Sequence, residues 1–346
     1  MIHKEILTAL ETLNESEIFY RDYRLAKASP ALFDEWLSKV DMDMVYRNNL
    51  LLPERIETIP PEYLDEWFFS KEKNEGVHVF KHNCYTPAIP HHHNFYEMFY
   101  VLKGQCLHRV GEKPSLLHAG DLCLIQPKVT HSIDVSDESV VIDVLIRKST
   151  FRQYFYSILQ GDNILSGFFM STLSEGAGMD YIIFHAPDDY ELENSFYSLC
   201  REVLCREEYY NTLINSIVVW IFVILLRRYQ NTCEYPANRP QYADQADKIL
   251  RYLQANAAET TLTQFAQHFH YTPESASRRI KQVTGHTYSQ LLTDIRIANA
   301  KQLLRDTSLS AAEIGTAVGY ESPEHFMRIF KKITGITPAE YRKNGH

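Results

Sequence analysis

The amino-acid sequence predicts an α+β protein of several domains, a small β-barrel with flanking helices followed by an all-α domain built on two helix-turn-helix units. Three observations predict it. Short β-rich runs are confined to residues 77–146, helical spacing dominates on either side of them, and the C-terminal third nearly repeats itself. At 346 residues the chain exceeds what one hydrophobic core usually organises, so two or three domains are expected.

Residues 1–70 read as a helical extension. Ile2, Ile6, Leu10 and Leu13 recur at helical spacing, and Ser29-Pro30 forms a cap and first turn ahead of Leu32, Phe33, Trp36, Leu37 and Val40. Residues 71–150 change texture. Runs at Val77 to His82, Glu97 to Leu102, Cys106 to Val110, Leu122 to Ile125 and Val140 to Ile146, broken by turn residues, describe a barrel or sandwich. Residues 151–230 are expected to be a helical dimerisation and coupling region, since Leu192, Phe196, Leu199 and Val203 lead into an apolar run from Leu213 to Leu226. Residues 231–241, polar and holding two prolines, read as a linker before a domain at 242–346.

Composition narrows the function classes. With 45% hydrophobic and 23% charged residues the chain is ordinary globular material. Its six cysteines form no C-x-x-C pair and are too sparse for a disulfide framework, which points to free thiols in a reducing compartment. The N-terminus lacks the organisation of a secretory signal, and the 14-residue apolar run is short of the roughly 20 residues a spanning helix needs. A cytoplasmic protein without a membrane partner is expected. Net charge is −9, yet residues 241–346 hold 13 Lys+Arg against 10 Asp+Glu, leaving 22 against 34 in the rest. The sign change coincides with the linker.

Beyond the linker, Thr272-Pro273-Glu274 through Thr284-Gly285 realigns on Ser322-Pro323-Glu324 through Thr334-Gly335 at an offset of 50. Each copy offers a short helix (Leu262 to Phe269; Ala311 to Val318), a turn, and a second helix opened by a Thr or Ser cap with proline at the first helical position. In the second helices Ala276, Ile280 and Val283, then Phe326, Ile329, Phe330 and Ile333, fall on one stripe expected to pack inward. The opposite faces carry Glu274, Ser277, Arg278 and Lys281, then Glu324, His325, Arg328, Lys331 and Lys332. Such a helix fits the major groove of double-stranded DNA, where Arg, His and Ser address base edges while Lys neutralises phosphates. A helix from Tyr288 to Arg305 joins the copies, and two recognition helices so held should enter successive grooves about 34 Å apart.

Residues from about 245 to 343 resemble the double helix-turn-helix domain of the AraC/XylS family of bacterial regulators. The second copy carries the resemblance, from Leu309 through Tyr320, Glu321 to Lys332 and Gly335 to Arg342. The first copy departs, with His270 where the family usually has glycine and Ala276 where it usually has leucine. The resemblance implies that Glu274, Ser277, Arg278, Glu324, His325 and Arg328 meet bases.

His91-His-His-Asn-Phe-Tyr-Glu97 followed by Gly104 is similar to the cupin spacing H-x-H-x3-E-x6-G, and His131 stands where the second cupin motif ends. On a strand His91, His93, Phe95, Glu97 and Phe99 alternate onto one face. Two imidazoles, a carboxylate and His131 could then face inward as ligands for Zn, Fe, Mn or Ni. The second motif departs at Gln126 and Lys128, where cupins carry proline and glycine. The same stretch resembles the sensory cupin of the regulator family, where these histidines commonly persist without catalysis, so no cofactor is required and a non-enzyme is expected. The six residues 91, 93, 95, 97, 99 and 131 would line a site for a small-molecule effector, and the resemblance implies carbohydrates often. The expected protein is a homodimeric, ligand-modulated transcription regulator acting with the transcription machinery. A ligand-blind dimeric regulator and a metal-dependent cupin enzyme fused to a DNA-binding module are the alternatives.

Overall fold

The computed structural model describes residues 3–48, 50–55, 62–69, 75–148, 150, 163–171, 179–236, 248–249, 252–284 and 286–343. The chain divides into two compact units, 1–150 with 180–235, and 151–179 with 236–346.

The first unit is built on two antiparallel sheets. Strands β2 (Val77–Lys81), β4 (Tyr96–Lys103), β7 (Asp121–Ile125), β9 (Val140–Ile146) and β10 (Tyr181–His185) form one, in the order β10-β7-β4-β9-β2. Strands β5 (Gln105–Val110), β6 (Lys113–His118) and β8 (His131–Asp134) form the other, in the order β6-β5-β8. Between them lies a core of Phe99, Val101, Cys123, Ile125, Val141 and Ile183 from the first sheet and Cys106, Leu117 and Ile133 from the second. The five-stranded sheet is covered on its other face as well: Tyr100 stacks on Phe196 at 4.1 Å. Strand β4 is therefore buried along nearly its whole length instead of alternating polar with apolar.

Strand β10 corrects the expectation of an all-helical stretch over 151–230. Its Tyr-Ile-Ile-Phe-His run pairs with β7 and completes the sheet edge. Helix α6 (Ile164–Ser171) precedes it, in the second unit, and α7 (Tyr190–Cys205) and α8 (Tyr210–Arg228) follow in the first. Asp189 caps α7 by accepting from the amides of Glu191 and Leu192, both at 3.1 Å, and also holds Arg228 at the far end of α8. Helix α8 has 19 residues, long and apolar enough by length and composition to cross a membrane. Here it packs against α7 and β2 with Ile214, Val218, Ile221 and Phe222 buried, while Leu213 and Trp220 remain 40% and 42% exposed.

The helical extension, α1 (His3–Glu11), α2 (Glu15–Ala26), α3 (Pro30–Lys39), α4 (Met42–Arg47) and α5 (Asp65–Phe68), docks on the barrel. Ser29 caps α3 as its sequence suggests, accepting from Leu32 N. Glu11 of α1 and Asp65 of α5 pair with Lys103 and Arg147 of the barrel, and α2 adds buried bonds. Glu17, fully buried, accepts from Asn14 N at 2.9 Å within its own capping box and from Cys84 N at 3.0 Å, and pairs with Lys81 at 2.6 Å. Arg24 donates to the carbonyl of Tyr85 at 2.7 Å and pairs with Asp134.

In the second unit both copies of the repeat form helix pairs, α9 (Leu262–His268) with α10 (Pro273–Thr284) and α12 (Ala311–Ala317) with α13 (Pro323–Thr334). Helix α11 (Tyr288–Asp306) joins them and α14 (Pro338–Lys343) closes the second. The caps are those the sequence promised: Thr272 accepts from Ser275 N and Ser322 from His325 N, both at 3.2 Å. Gly335 ends α13 at φ 82. Its counterpart Gly285 lies outside the described residues, as does the side chain of Val283. The linker reading at 231–241 falls outside them from residue 237 on, and Glu234 within it bridges to Ile183 in β10.

The turn between paired helices needs a left-handed residue. Gly319 supplies it in the second copy at φ 93 and His270 in the first at φ 57. The departure at His270 therefore changes the residue and keeps the backbone shape, at the steric cost a side chain meets there.

Candidate functional site

Two regions carry the residues singled out by sequence. On the second-unit helices, Glu274, Arg278, Lys281, Glu324, His325, Arg328, Lys331 and Lys332 are exposed and Ser277 is half-buried. Ala276 and Ile280 are buried beneath α10, and Phe326 and Phe330 beneath α13, where they join Ile297, Ala300, Leu304, Ile314 and Tyr341 in one core. Each polar face is thus held outward by an apolar stripe opposite. Ile333 corrects the stripe: it is 44% exposed, because it lies in the last turn before Gly335, beyond the turn that Phe330 anchors. Arg296 and Arg342 look equally basic in sequence but serve the fold, donating to Ala257 O at 2.7 Å and Leu304 O at 3.1 Å.

In the barrel, a pocket of about 810 Å³, its open mouth included, is lined by His91, His93, Phe95 and Glu97 together with His82, Asp143 and others. Phe99 does not line it. That ring is fully buried in the core between the sheets, edge-on to His108 at 5.3 Å, so the expected fifth ligand-facing position is a packing position. His131 sits behind the lining: its Nε2 is 3.2 Å from Glu97 Oε2, and His93 Nε2 is 2.9 Å from the same oxygen.

Three residues that sequence reading passed over shape the pocket. Tyr63, in β1 (Glu62–Tyr63), pairs in parallel with β3 (His92–His93) and stacks on His91 at 4.5 Å. The helical extension therefore contributes a wall. Half-buried His82 and buried Asp143 form a pair at 2.8 Å, and Asp143 Oδ1 makes no hydrogen bond among the described residues. No spacing rule links positions 82 and 143; pairing of β2 with β9 does.

Burial and charge act against each other here. Burial works to raise the Glu97 carboxyl, but the charge and contact of His131 and the contact of His93 hold it well below the usual carboxylate range. Burial would lower His131, and Glu97 overrides that and raises it. His91 is pushed down to about 4, by burial and then by His131. His108, deeper still, falls to about 3 for the same two reasons. Among the described residues that line the pocket there is no lysine or arginine, so its only fixed charges are two carboxylates matched by imidazoles.

A family described as AraC-like ligand binding domain matches residues 81–203, and one described as helix-turn-helix domain matches residues 265–344. The uncharacterized HTH-type transcriptional regulator YisR of Bacillus subtilis (strain 168) is 32% identical over 156 residues, 45% of this chain and 48% of that protein. The HTH-type transcriptional activator RhaR of Pectobacterium atrosepticum is 24% identical over 283 residues, 80% of this chain and 94% of its own length. Among solved structures, the C-terminal domain of AraT, a response regulator from Geobacillus stearothermophilus, is 35% identical over 28% of this chain and 82% of its own, with a TM-score of 0.27. With the ligand-binding match falling on the barrel and running into α7, and the other on the duplicated helix pairs, this chain belongs to the AraC family of DNA-binding transcriptional regulators.

Proposed function

We propose that the protein reads a specific double-stranded DNA site with α10 and α13 and that a neutral, hydroxyl-rich small molecule, a sugar or related metabolite, bound in the barrel adjusts its occupancy of that site. One observation carries the DNA reading: in both copies the Arg and Lys side chains stand on the exposed face of a helix whose other face is locked into a core. Arg278 and Arg328, with Glu274, Ser277, Glu324 and His325, are assigned to base edges, and Lys281, Lys331 and Lys332 to phosphates. On this assignment Arg328→Ala should cost about 1–3 kcal/mol and relax preference at one base position, whereas Lys332→Ala should weaken every sequence alike and reduce the salt slope. Fluorescence-anisotropy titrations over a range of salt separate the two, and equal effects from both variants would contradict the roles.

The effector class follows from the pocket's chemistry. Asp143 Oδ1 and Glu97 offer acceptors, Tyr63, Phe80 and Phe95 offer ring faces, and the described lining residues include no lysine or arginine to neutralise an acid. Hydroxyl groups donate into such acceptors while a sugar's C–H face stacks on rings. A thermal-shift screen should find ligands among neutral polyols, because a ligand that binds only the native state must raise its melting temperature. Hits confined to carboxylates or phosphate esters would overturn this class. Effector binding redistributes conformers by the difference in its affinity for them, about 1–3 kcal/mol of coupling.

The exposed Leu213 and Trp220 of α8, with half-buried Ile217 between them, support a homodimer through the 191–229 helices, which would set two reading heads on a repeated operator near the transcription machinery. Analytical ultracentrifugation of a Trp220→Glu variant as a monomer would agree with it. The protein acts in the cytoplasm and has no catalytic role of its own in this reading, as fits a chain whose relatives are transcriptional regulators.

A further inference from the structure

Two helices can read one DNA site together only if the distance between them is held. Helix α11 joins the copies, but a single connecting helix leaves each copy free to pivot at its ends. The second unit contains a further connection. The turn Asn256–Glu259, ahead of α9 in the first copy, packs against the turn at Gly319 in the second, where a Cβ would lie 2.1 Å from Ala258 O. Arg296, half-buried and midway along α11, sits where these three segments meet. Its Nε donates to Ala257 O at 2.7 Å and its guanidinium also reaches Ala258 O at 3.3 Å. The same guanidinium lies over the ring of Tyr320 at 5.6 Å. Tyr320 in turn packs on Phe326 at 5.5 Å, the residue whose burial anchors α13. On the first-copy side, Tyr288 in the first turn of α11 donates to Thr260 O at 3.0 Å, next to the Thr261 cap of α9.

We propose, on the DNA-binding reading above, that Arg296 is a positioning residue for recognition: by clamping both turns to α11 it makes α10 and α13 one rigid reading head, which accepts a single separation between the two parts of its site. Arginine suits the task. Its planar fork serves two carbonyls from one side chain while its face lies on an aromatic ring, a combination a lysine ammonium cannot reproduce. Removing the fork leaves both copies folded around their own cores but frees the turn at Ala257 from the turn at Gly319 on the side that faces α11. Residues on the reading helices choose the bases; Arg296, which points away from them into this junction, sets how far apart those bases lie.

The test is fluorescence anisotropy of the full-length protein on duplexes carrying the two-part motif it selects, with one or two base pairs added or removed between the parts. Each base pair shifts the second part by about 3.4 Å and turns it by about 35° around the duplex axis. In wild type a one-base-pair change should cost at least about 10-fold in affinity, because one helix must give up base contacts. Arg296→Met keeps the apolar stem and loses both hydrogen bonds and the charge. Its spacing penalty should fall to about 3-fold or less, with base preference inside each part unchanged. Arg305→Met is the control: it removes a bond from α11 to Tyr341 of α14 and should keep the wild-type penalty. Circular dichroism checks folding, and if the Met variant is unstable Arg296→Lys, which keeps the charge and loses the fork, decides with the same expected fall. A wild-type penalty retained in a folded Arg296 variant, an equal fall in Arg305→Met, or a wild-type protein indifferent to spacing overturns the proposal and leaves the DNA reading standing. A wild-type protein that selects no two-part motif overturns both.

Discussion

Gly319 is the position where one methyl group should do most harm. Its φ of +93 lies in the left-handed region, and a Cβ built there would sit 2.1 Å from Ala258 O and 2.7 Å from Ala258 C. Left-handed backbone costs an L-residue about 1–2 kcal/mol. Clearing the carbonyl requires a shift of about 1 Å in packed backbone, an overpacking cost of about 1–3 kcal/mol. That turn cannot yield cheaply, since Arg296 donates to Ala257 O at 2.7 Å and Tyr288 to Thr260 O at 3.0 Å. Gly319→Ala should therefore lose about 2–5 kcal/mol, much of a domain's usual margin. Gly335 is the internal control: φ is +82, but nothing lies within 4 Å of its Cβ position, so Gly335→Ala should lose the backbone part alone, about 1–2 kcal/mol. Urea unfolding of the full chain, read by circular dichroism and by loss of DNA binding, compares the two. A Gly319→Ala loss no greater than that of Gly335→Ala would refute the reasoning.

His270→Gly, the reverse experiment in the first copy, should stabilise by up to about 1 kcal/mol, the left-handed cost recovered less the entropy glycine adds to the unfolded chain; a clear loss of melting temperature would count against it. Burial works to raise the Glu17 carboxyl, but Lys81 and the amides of Cys84 and Asn14 outweigh it and hold it low, so its contribution is present above its ordinary value of 4.5 and lost as pH falls through the folded one. Glu17→Gln should cost about 1–3 kcal/mol near neutrality, and the gap to wild type should close as pH drops from about 5 to about 3; a gap independent of pH would be contrary. Burial pushes the Cys84, Cys106 and Cys200 thiols up to about 12, while Cys205 is exposed, so alkylation at pH about 8 should show a fast phase that Cys205→Ser removes. Tyr63→Ala should weaken effector binding by about 2–10-fold through loss of a ring wall, leaving effector-free DNA affinity unchanged in anisotropy titrations.

The helix pairs of the second unit were legible because their signals are local. Ser322-Pro323 and Gly335 mark a start and a stop within a dozen residues, and the stripe of Phe326 and Phe330 needs no distant partner to be recognised. The failures come where a distant contact decides. Strand parity put Phe99 on the same face as Glu97, which is correct, yet His108 from β5 closes the barrel above it and turns a ligand-facing position into core. Ile333 obeys the periodicity of its stripe but has outrun the core that the stripe covers. Strand β6 opens Lys-Pro-Ser and buries little, so it shows no apolar run, and β10 is recognisable only through its pairing with β7. For the pocket, the histidine motif was visible as a spacing; Asp143, His82 and Tyr63 reach it through strand pairings that cross the chain by tens of residues.

The most direct test of the central claim is the DNA selected from a random pool by the purified full-length protein and by its Arg278→Ala and Arg328→Ala variants. Two helices that each read base edges predict a motif with two parts about one helical turn apart, with one part blurred in each variant and the other kept. A uniform loss of affinity in both variants with no change in either part of the motif would contradict it.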